Sequence, residues 1–515
     1  MITILQQHGA ALLVALPLLF AFLIPITAKL SEKLSKLVVF IGLALITLTA
    51  AIVSFDVFST GTKLYVMGAG LPSVATPAGL TIPVRIVFEI DAFSAFMVLI
   101  AALIAVVACI YSLRFIKEAT NKYYSIFFLM LAGMFGLVST ADLFNLFVFI
   151  EVLSLASAGL IAFRHDEVES VEAAYKYLII SSLASLMILF AIGILYGQYG
   201  LLNIAALAKA LRFSFVDIAA LALLVSALAM KAGSVPMHFW APDAYSRAPA
   251  PITASLVVAS QTCLYALFRI SFTLFGAFPL IHLIAWAIII LGLLSMFIGV
   301  TMALTQKDIK RLMAYHAISQ TGYMLLGVGL GLLAINSAMV PFGLKAMEGG
   351  IFHIINHAMY KGLLFLTAGA IIYATGKRNL DELSGLAKKM PLTTIFFIIG
   401  AAAIAGLPPT NGFASKLLIY ESAYMFNPLF SIIAMIVSVL TLVSFVKVFC
   451  AAFLGPELKE LAEVKEVPKS MLFAMLLLAF FILLFGLFPS FVVKTIVEPA
   501  ANALLNQAAY IGAVL

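Results

Sequence analysis

Runs of roughly 20 apolar residues, separated by short polar breaks, fill almost the whole chain, and a run of that length crosses a bilayer as a helix. Fourteen are predicted as spans: 8–28, 36–57, 91–114, 123–141, 143–163, 175–197, 216–240, 250–275, 280–304, 312–334, 349–374, 392–420, 428–454 and 470–495. The fourth and fifth nearly fuse. Longer connections fall at 59–90, 198–215, 376–391 and 455–469. Residues 61–90, rich in Gly, Pro, Val and Thr, predict a hairpin on the outer face. Residues 201–213 carry apolar side chains at helical spacing beside Lys209 and Arg212, which predicts a helix lying along the interface. Residues 457–469 form a charged loop, a solvated face or a docking surface.

Two spans are interrupted. The seventh carries Gly233 and Pro236 beside Lys231; the twelfth carries Gly406, Pro408, Pro409 and Gly412 beside Lys416. Proline removes a helical hydrogen bond and frees a carbonyl, which a membrane tolerates only where protein or a wet cavity satisfies the backbone. Broken helices five spans apart, each with a lysine, point to paired repeats around central ion sites. Spans 4–8 and 9–13 are the predicted units. The domain reading is 1–120 (helices 1–3 with the hairpin), 121–276 and 277–455 (the two five-helix repeats), and 456–515 (inner loop, helix 14 and tail).

Composition agrees. The 515 residues are 64% hydrophobic and 10% charged, where soluble domains carry about 25% charge. The net charge of +7 does not mark a nucleic-acid partner, because its distribution follows the membrane. With the N-terminus outside, inward loops hold nineteen Lys and Arg and outward loops six. The positive-inside rule then puts both termini on the outer face of a multi-pass cell-membrane protein. The first span lacks a small-residue cleavage site and is expected to stay. Cys109, Cys263 and Cys450 stand alone within spans and no CxxC exists, so the thiols are read as packing residues, with no iron–sulfur cluster, zinc or disulfide expected.

The candidate chemistry lies in the few charged or titratable residues inside spans. An ammonium group at the middle of a span costs at least about 2.5–3.5 kcal/mol, and Lys231 is too far in to reach an interface easily. Glu151 is the only acid well inside a span in the first half. Near each other, Glu151 and Lys231 hold each other charged; pulled apart, the lysine can release its proton. His353, His357 and Lys361 follow at i, i+4 and i+8. Each step of four residues drifts only about 40° around the helix, so the three share a face. Histidine is the natural relay among them. The HxxxH pair has no third ligand in view, so no metal is predicted. His316, Ser319, Gln320 and Tyr323 make a weaker stripe that either lines water or ties helices together. Asp142 either caps its helix or takes part in transport. Arg269 and Lys447 lie nearer the inner ends of their spans and are expected to snorkel.

The runs 142–157, 231–254, 306–324, 353–371 and 406–416, among them DLFNLFVFIEVLSLAS, KAGSVPMHFWAPDAYSRAPAPITA and GLPPTNGFASK, closely resemble the antiporter-like subunits. These are shared by respiratory complex I, Mrp-type sodium/proton antiporters and membrane-bound hydrogenases. The resemblance covers about residues 85–455. It implies an all-α polytopic membrane fold of about fourteen helices, two inverted five-helix repeats with helices 7 and 12 broken, and proton translocation. By position it implies that Glu151 is the helix 5 glutamate, Lys231 the helix 7 lysine and Lys416 the helix 12 residue. His357 and Lys361 take the polar helix 11 positions, with His353 an added upstream turn. One departure stands out: where the family usually carries lysine in helix 8, this chain has Gln261, which cannot carry charge.

The preferred reading is a proton-translocating subunit that moves protons along buried Glu, Lys, His and water. No cofactor motif is present and no cofactor is expected, so energy must come from other membrane subunits, a redox module or a counter-moving sodium ion. The alternatives are an autonomous sodium/proton antiporter, or an inert membrane anchor whose Glu–Lys pair is structural.

Overall fold

The computed structural model describes residues 2–68, 74–75, 81–82, 85–335 and 337–515. Among them, twelve helices are long and apolar enough to cross a membrane. The chain opens with α1 (Ile2–Leu30) and α2 (Glu32–Thr60). It then forms a short antiparallel ribbon of β1 (Lys63–Val66) on β4 (Val87–Ile90), with β2 (Val74–Ala75) on β3 (Thr81–Ile82) further out. This is the segment predicted as a hairpin; most of its tip lies outside the described residues.

Next come α3 (Ala92–Phe115), α4 (Thr120–Ser139), α5 (Leu143–Ile161) and α6 (Val168–Tyr199). The nearly fused pair is two helices, because Asp142 caps α5 by accepting from Asn145 N at 2.8 Å. The predicted seventh span becomes α8 (Phe215–Lys231), preceded by α7 (Ile204–Ala210) and followed, across a break, by α9 (Trp240–Arg247). Then follow α10 (Ala250–Arg269), continued by a π-helical turn at Ile270–Leu274, α11 (Ile281–Leu304), α12 (Ile309–Ala334) and α13 (Val340–Thr375). The twelfth predicted span is two pieces, α15 (Pro391–Ala405) and α16 (Asn411–Phe426), after the single turn α14 (Leu386–Lys389). The chain ends with α17 (Pro428–Ala452), α18 (Lys469–Leu487), and the short α19 (Pro489–Val492), α20 (Glu498–Leu505) and α21 (Gln507–Val514).

Helices sort by exposure. Every residue of α10 is buried, and α3, α4, α12 and α13 are largely so. Large apolar side chains such as Phe22, Phe55, Phe190 and Phe480 point outward from α1, α2, α6 and α18, the surface a lipid would cover. Gln261, His316, His353, His357 and Lys361 sit on these inner helices, whereas Glu151, Lys231 and Lys416 lie on α5, α8 and α16, with both lysines buried; a membrane protein keeps ionisable groups away from lipid in this way.

Loop contacts define two ends. At one, Lys176, Asp243 and Arg311 meet, Arg378 reaches Asp308, and Lys377 and Lys389 reach the 457–469 loop. At the other, Phe88 bridges Thr140, Asp142 bridges Asn203, and Gln507 donates to the Thr273 carbonyl.

Four expectations are corrected. Residues 201–213 do not lie along an interface: Asn203 caps α7 and ties it to Asp142, so Ile204, Ala205 and Leu207 are buried in the protein. Arg269 does not snorkel. It is 1% exposed and ion-paired to Asp91 at 2.7 Å, a partner 178 residues away that no local pattern reveals. Lys310, counted among loop charges, is 3% exposed and donates to the Ala248 carbonyl at the foot of α10. Cys450 is not a packing residue; it is exposed on α17.

Candidate functional site

Lys231 is the last residue of α8, and the chain turns beyond it through Gly233, whose φ of +74° suits a residue without Cβ. The turn is held by Ser234 Oγ donating to the Ala229 carbonyl and Trp240 Nε1 donating to the Met230 carbonyl. Buried at this corner, the ammonium donates to Ser154 Oγ on α5 at 2.8 Å and Ser181 Oγ on α6 at 2.9 Å. Its hydrogen bonds thus go to hydroxyls and not to Glu151. That carboxylate lies one turn before Ser154, close enough to act through space, and its buried Oε1 accepts no hydrogen bond. Among the described residues no hydrogen bond or ion pair joins Glu151 to Lys231. A cavity of about 20 Å³, lined by Ser154, Tyr177, Ser181, Lys231, Ser260 and Cys263 among others, adjoins the ammonium. That is room for one water.

Beyond Trp240 and Ile180 a second cavity of about 460 Å³ opens among Lys176, His238, Asp243, Arg311 and Tyr315. Burial works against ionised Asp243, but its hydrogen bonds and charge contacts to Lys176 and Arg311 hold it below the usual aspartate range. This ion-paired mouth was not singled out by sequence. Its three members lie on α6, α9 and α12 and are brought together only by the fold.

The second station is on α13. Gln261 Nε2 donates to the Ile354 carbonyl at 2.9 Å and lies 2.8 Å from His357 Nδ1. The carbonyl fixes which amide atom is nitrogen, so Nδ1 accepts and a neutral His357 carries its proton on Nε2. That Nε2, and Gln261 Oε1, are buried without partners. One turn away, His353 Nδ1 meets Ser415 Oγ at 3.0 Å, and its Nε2 meets Gln320 Oε1 at 3.1 Å and the Tyr360 hydroxyl at 3.0 Å. The shared face predicted for His353, His357 and Lys361 is real as burial. Yet the slow drift around the helix sends each to a different neighbour. Lys361 donates to the Met313 carbonyl at 2.6 Å, between the rings of Phe365 and Phe445. His316 pairs through Nε2 with Ser444 Oγ at 2.8 Å, and its Nδ1 is unpartnered.

The third station is Lys416 on α16. Pro408 and Pro409 lack the N–H groups that would cap the carbonyls of Ile404 and Ala405. Those two oxygens are taken instead by Lys416 Nζ at 2.7 Å and Ser438 Oγ at 2.8 Å, and Lys416 also donates to Ser438 Oγ at 2.9 Å. The break thus builds the lysine's cradle. The ammonium sits 4.7 Å from the Tyr323 ring centroid, and Tyr323 in turn packs on His353. Gly406, at φ +79°, leaves space that a Cβ would take 2.9 Å from Lys416 Cδ.

Sequence found every lysine and histidine of this series but missed Ser154, Ser181, Ser415, Ser438 and Tyr360. Serine and tyrosine are common inside spans, and only proximity to a lysine or histidine marks these. Lys447 donates to the Leu304 and Gln306 carbonyls and closes the end of α11.

The family described as "NADH:quinone oxidoreductase/Mrp antiporter, TM" matches residues 140–441, which include all three stations. NADH-quinone oxidoreductase subunit N of Desulforudis audaxviator is 32% identical over 96% of this chain and 99% of its own length. A Na(+)/H(+) antiporter subunit of Alkalihalophilus pseudofirmus is 33% identical over 81% of this chain and 80% of its own. Among solved structures, a chain of the Mrp complex from Dietzia superposes with a TM-score of 0.88 at 28% identity, covering 99% of both chains. A chain of the membrane-bound sulfane sulfur reductase, an archaeal respiratory membrane complex, gives 0.85 at 29% identity, covering 98% of this chain and 99% of its own.

Proposed function

The chain belongs to the NADH:quinone oxidoreductase/Mrp antiporter membrane family, and from that premise we propose that Lys231, His357, His353 and Lys416 are stations of its proton path. It is an antiporter-like subunit of a multisubunit membrane complex. One observation carries the site reading. Lys231, Lys361 and Lys416 are buried, and among the described residues each donates to hydroxyls or carbonyls and none to a carboxylate. A structural ion pair would not be built that way. A lysine on neutral acceptors can give up its proton without leaving a bare counter-charge behind.

In this reading, water enters through the Asp243 mouth and the proton reaches Lys231 under the influence of Glu151. It continues through the small cavity to His357 and His353 and reaches Lys416 past Tyr323. Lys361 and His316 form a side arm, and Asp142 acts as a helix cap. The two ends of the molecule support counting the broken elements α8 and α15–α16 as crossings seven and twelve, for fourteen in all. The repeats are read at 121–276 and 277–455, flanked by 1–120 and 456–515. The end rich in Lys and Arg is taken as inner, so both termini lie on the outer side of the cell membrane. The driving energy comes from partner subunits, through a redox module or through sodium exchange.

The test is Glu151→Gln in the intact complex, assayed in inverted vesicles for formation of a pH gradient. The account predicts strongly reduced transport with normal assembly. Undiminished coupling would support the inert anchor instead.

A further inference from the structure

A second group of buried charges stands outside this series, at the end of the molecule away from the Asp243 mouth. Glu89, the third residue of β4, is 1% exposed. Among the described residues neither carboxylate oxygen has a well-aligned donor, although the Tyr510 hydroxyl lies beside it. Two residues on, Asp91 caps α3 by accepting from Ser94 N at 2.9 Å and pairs with buried Arg269. Arg269 also reaches the Tyr265 hydroxyl at 3.2 Å and lies 4.7 Å from the Tyr510 ring centroid. Two carboxylates thus share one guanidinium, which Asp91 already occupies. With both acids ionised the buried cluster would carry a net charge of −1; with a proton on Glu89 it is neutral. Burial, and then the Asp91 charge, raise the Glu89 pKa well above the carboxylate range, against the opposing pull of Arg269 and Tyr510.

The cluster is joined to the proposed proton path by one helix. Gln261, Tyr265 and Arg269 follow at i, i+4 and i+8 on α10, each step rising about 6 Å. Gln261 holds His357, Tyr265 holds Ser94 Oγ at 2.8 Å, and Arg269 holds Asp91. A polar stripe therefore runs through a fully buried helix from the central histidine to the far end.

We infer that Glu89 is the terminal proton acceptor of an outlet that leaves the path at Gln261 and runs along α10, so that this subunit can release protons without first delivering them to Lys416. This rests on the proton-path reading above. His357 takes its incoming proton at Nδ1 as the Gln261 amide turns to present Oε1 to it, and the Nε2 proton then passes to water. The Tyr265 hydroxyl, which meets Ser94 Oγ at 2.8 Å and donates to the Val138 carbonyl at 3.0 Å, turns from that carbonyl to pass a proton to Ser94 as it takes one up; a further water spans the gap from Ser94, and Glu89 carboxylate becomes carboxylic acid. Release past Tyr510 restores the carboxylate. The cover is one helix thick, since Ala508, Ala509 and Gly512 of α21 are partly or fully exposed while Tyr510 faces inward.

The experiment compares Glu89→Gln, Tyr265→Phe and Lys231→Ala in the assembled complex, by the initial rate of proton movement in inverted vesicles and by infrared spectroscopy. Glu89→Gln and Tyr265→Phe are expected to slow transport by about tenfold, less than the roughly 10²–10⁴-fold of a positioned acid or base because the route through Lys416 stays open. Wild type should show a protonated-carboxylic C=O band that Glu89→Gln removes. Wild-type rates in both variants with Lys231→Ala inactive would overturn the outlet alone, whereas an active Lys231→Ala would overturn the path beneath it. If Glu89→Gln fails to assemble, Tyr265→Phe decides: a wild-type rate overturns the outlet and a slowed rate supports it.

Discussion

The residue that organises this molecule is a lysine with neutral company. Lys231 and Lys416 each replace lost hydration with two oxygen acceptors, and charge-assisted hydrogen bonds of this kind are worth about 1.5–3 kcal/mol each. Removing both hydroxyls, Ser154→Ala with Ser181→Ala, should therefore lower thermal stability and slow proton transport; unchanged values of both would make the serines bystanders. Glu89 gives a prediction with a definite sign. Its folded-state pKa is raised above the unfolded value, so the native state binds its proton more tightly. The stability this provides is full below the unfolded carboxylate pKa and is lost as pH rises through the folded one. Melting temperature should fall over that window in wild type and fall less in Glu89→Gln, read by thermal denaturation across pH. At this scale the sequence was legible for residues that are costly in a membrane, namely Lys231, His353, His357, Lys361 and Lys416. It was silent on the serines that make them tolerable. Arg269 was misread because distance from a span end says nothing about a partner carboxylate in another element.

The broken helices show how an element makes a site. In α15–α16 the prolines free two carbonyls, Gly406 turns the chain, and the lysine twelve residues after Ile404 folds back onto the freed oxygen. Gly406→Ala combines a strained backbone, about 1–3 kcal/mol, with a Cβ pressed on Lys416. It should lose stability and most transport together. Gly376→Ala, also at positive φ but with open space around it, should cost stability alone. Equal transport in the two variants would separate the break from the lysine's function. Proline and glycine made both interruptions readable from sequence. The burial of α7 was not readable, because its amphipathic spacing is the same whether the apolar side meets lipid or protein.

For the whole molecule, the paired loops gather at two ends, and the basic end is proposed to face inward. Single cysteines placed at Lys459 and Gln507, in a background without the exposed Cys450, test this with a membrane-impermeant maleimide. The account expects Lys459→Cys to react only from the inner side and Gln507→Cys only from the outer; the reverse pattern would invert the orientation. That the chain is built of membrane-length helices was legible from apolar run length. Which of them surround one another was not, so the Asp243 mouth and the Glu89 cluster emerged only from the fold. The central claim is that buried lysines carry protons and do not merely hold helices together. Its most direct measurement is the initial rate of pH-gradient formation in inverted vesicles bearing the assembled complex with Lys231→Ala. The account predicts near-complete loss at wild-type assembly levels; a gradient formed at the wild-type rate would contradict it.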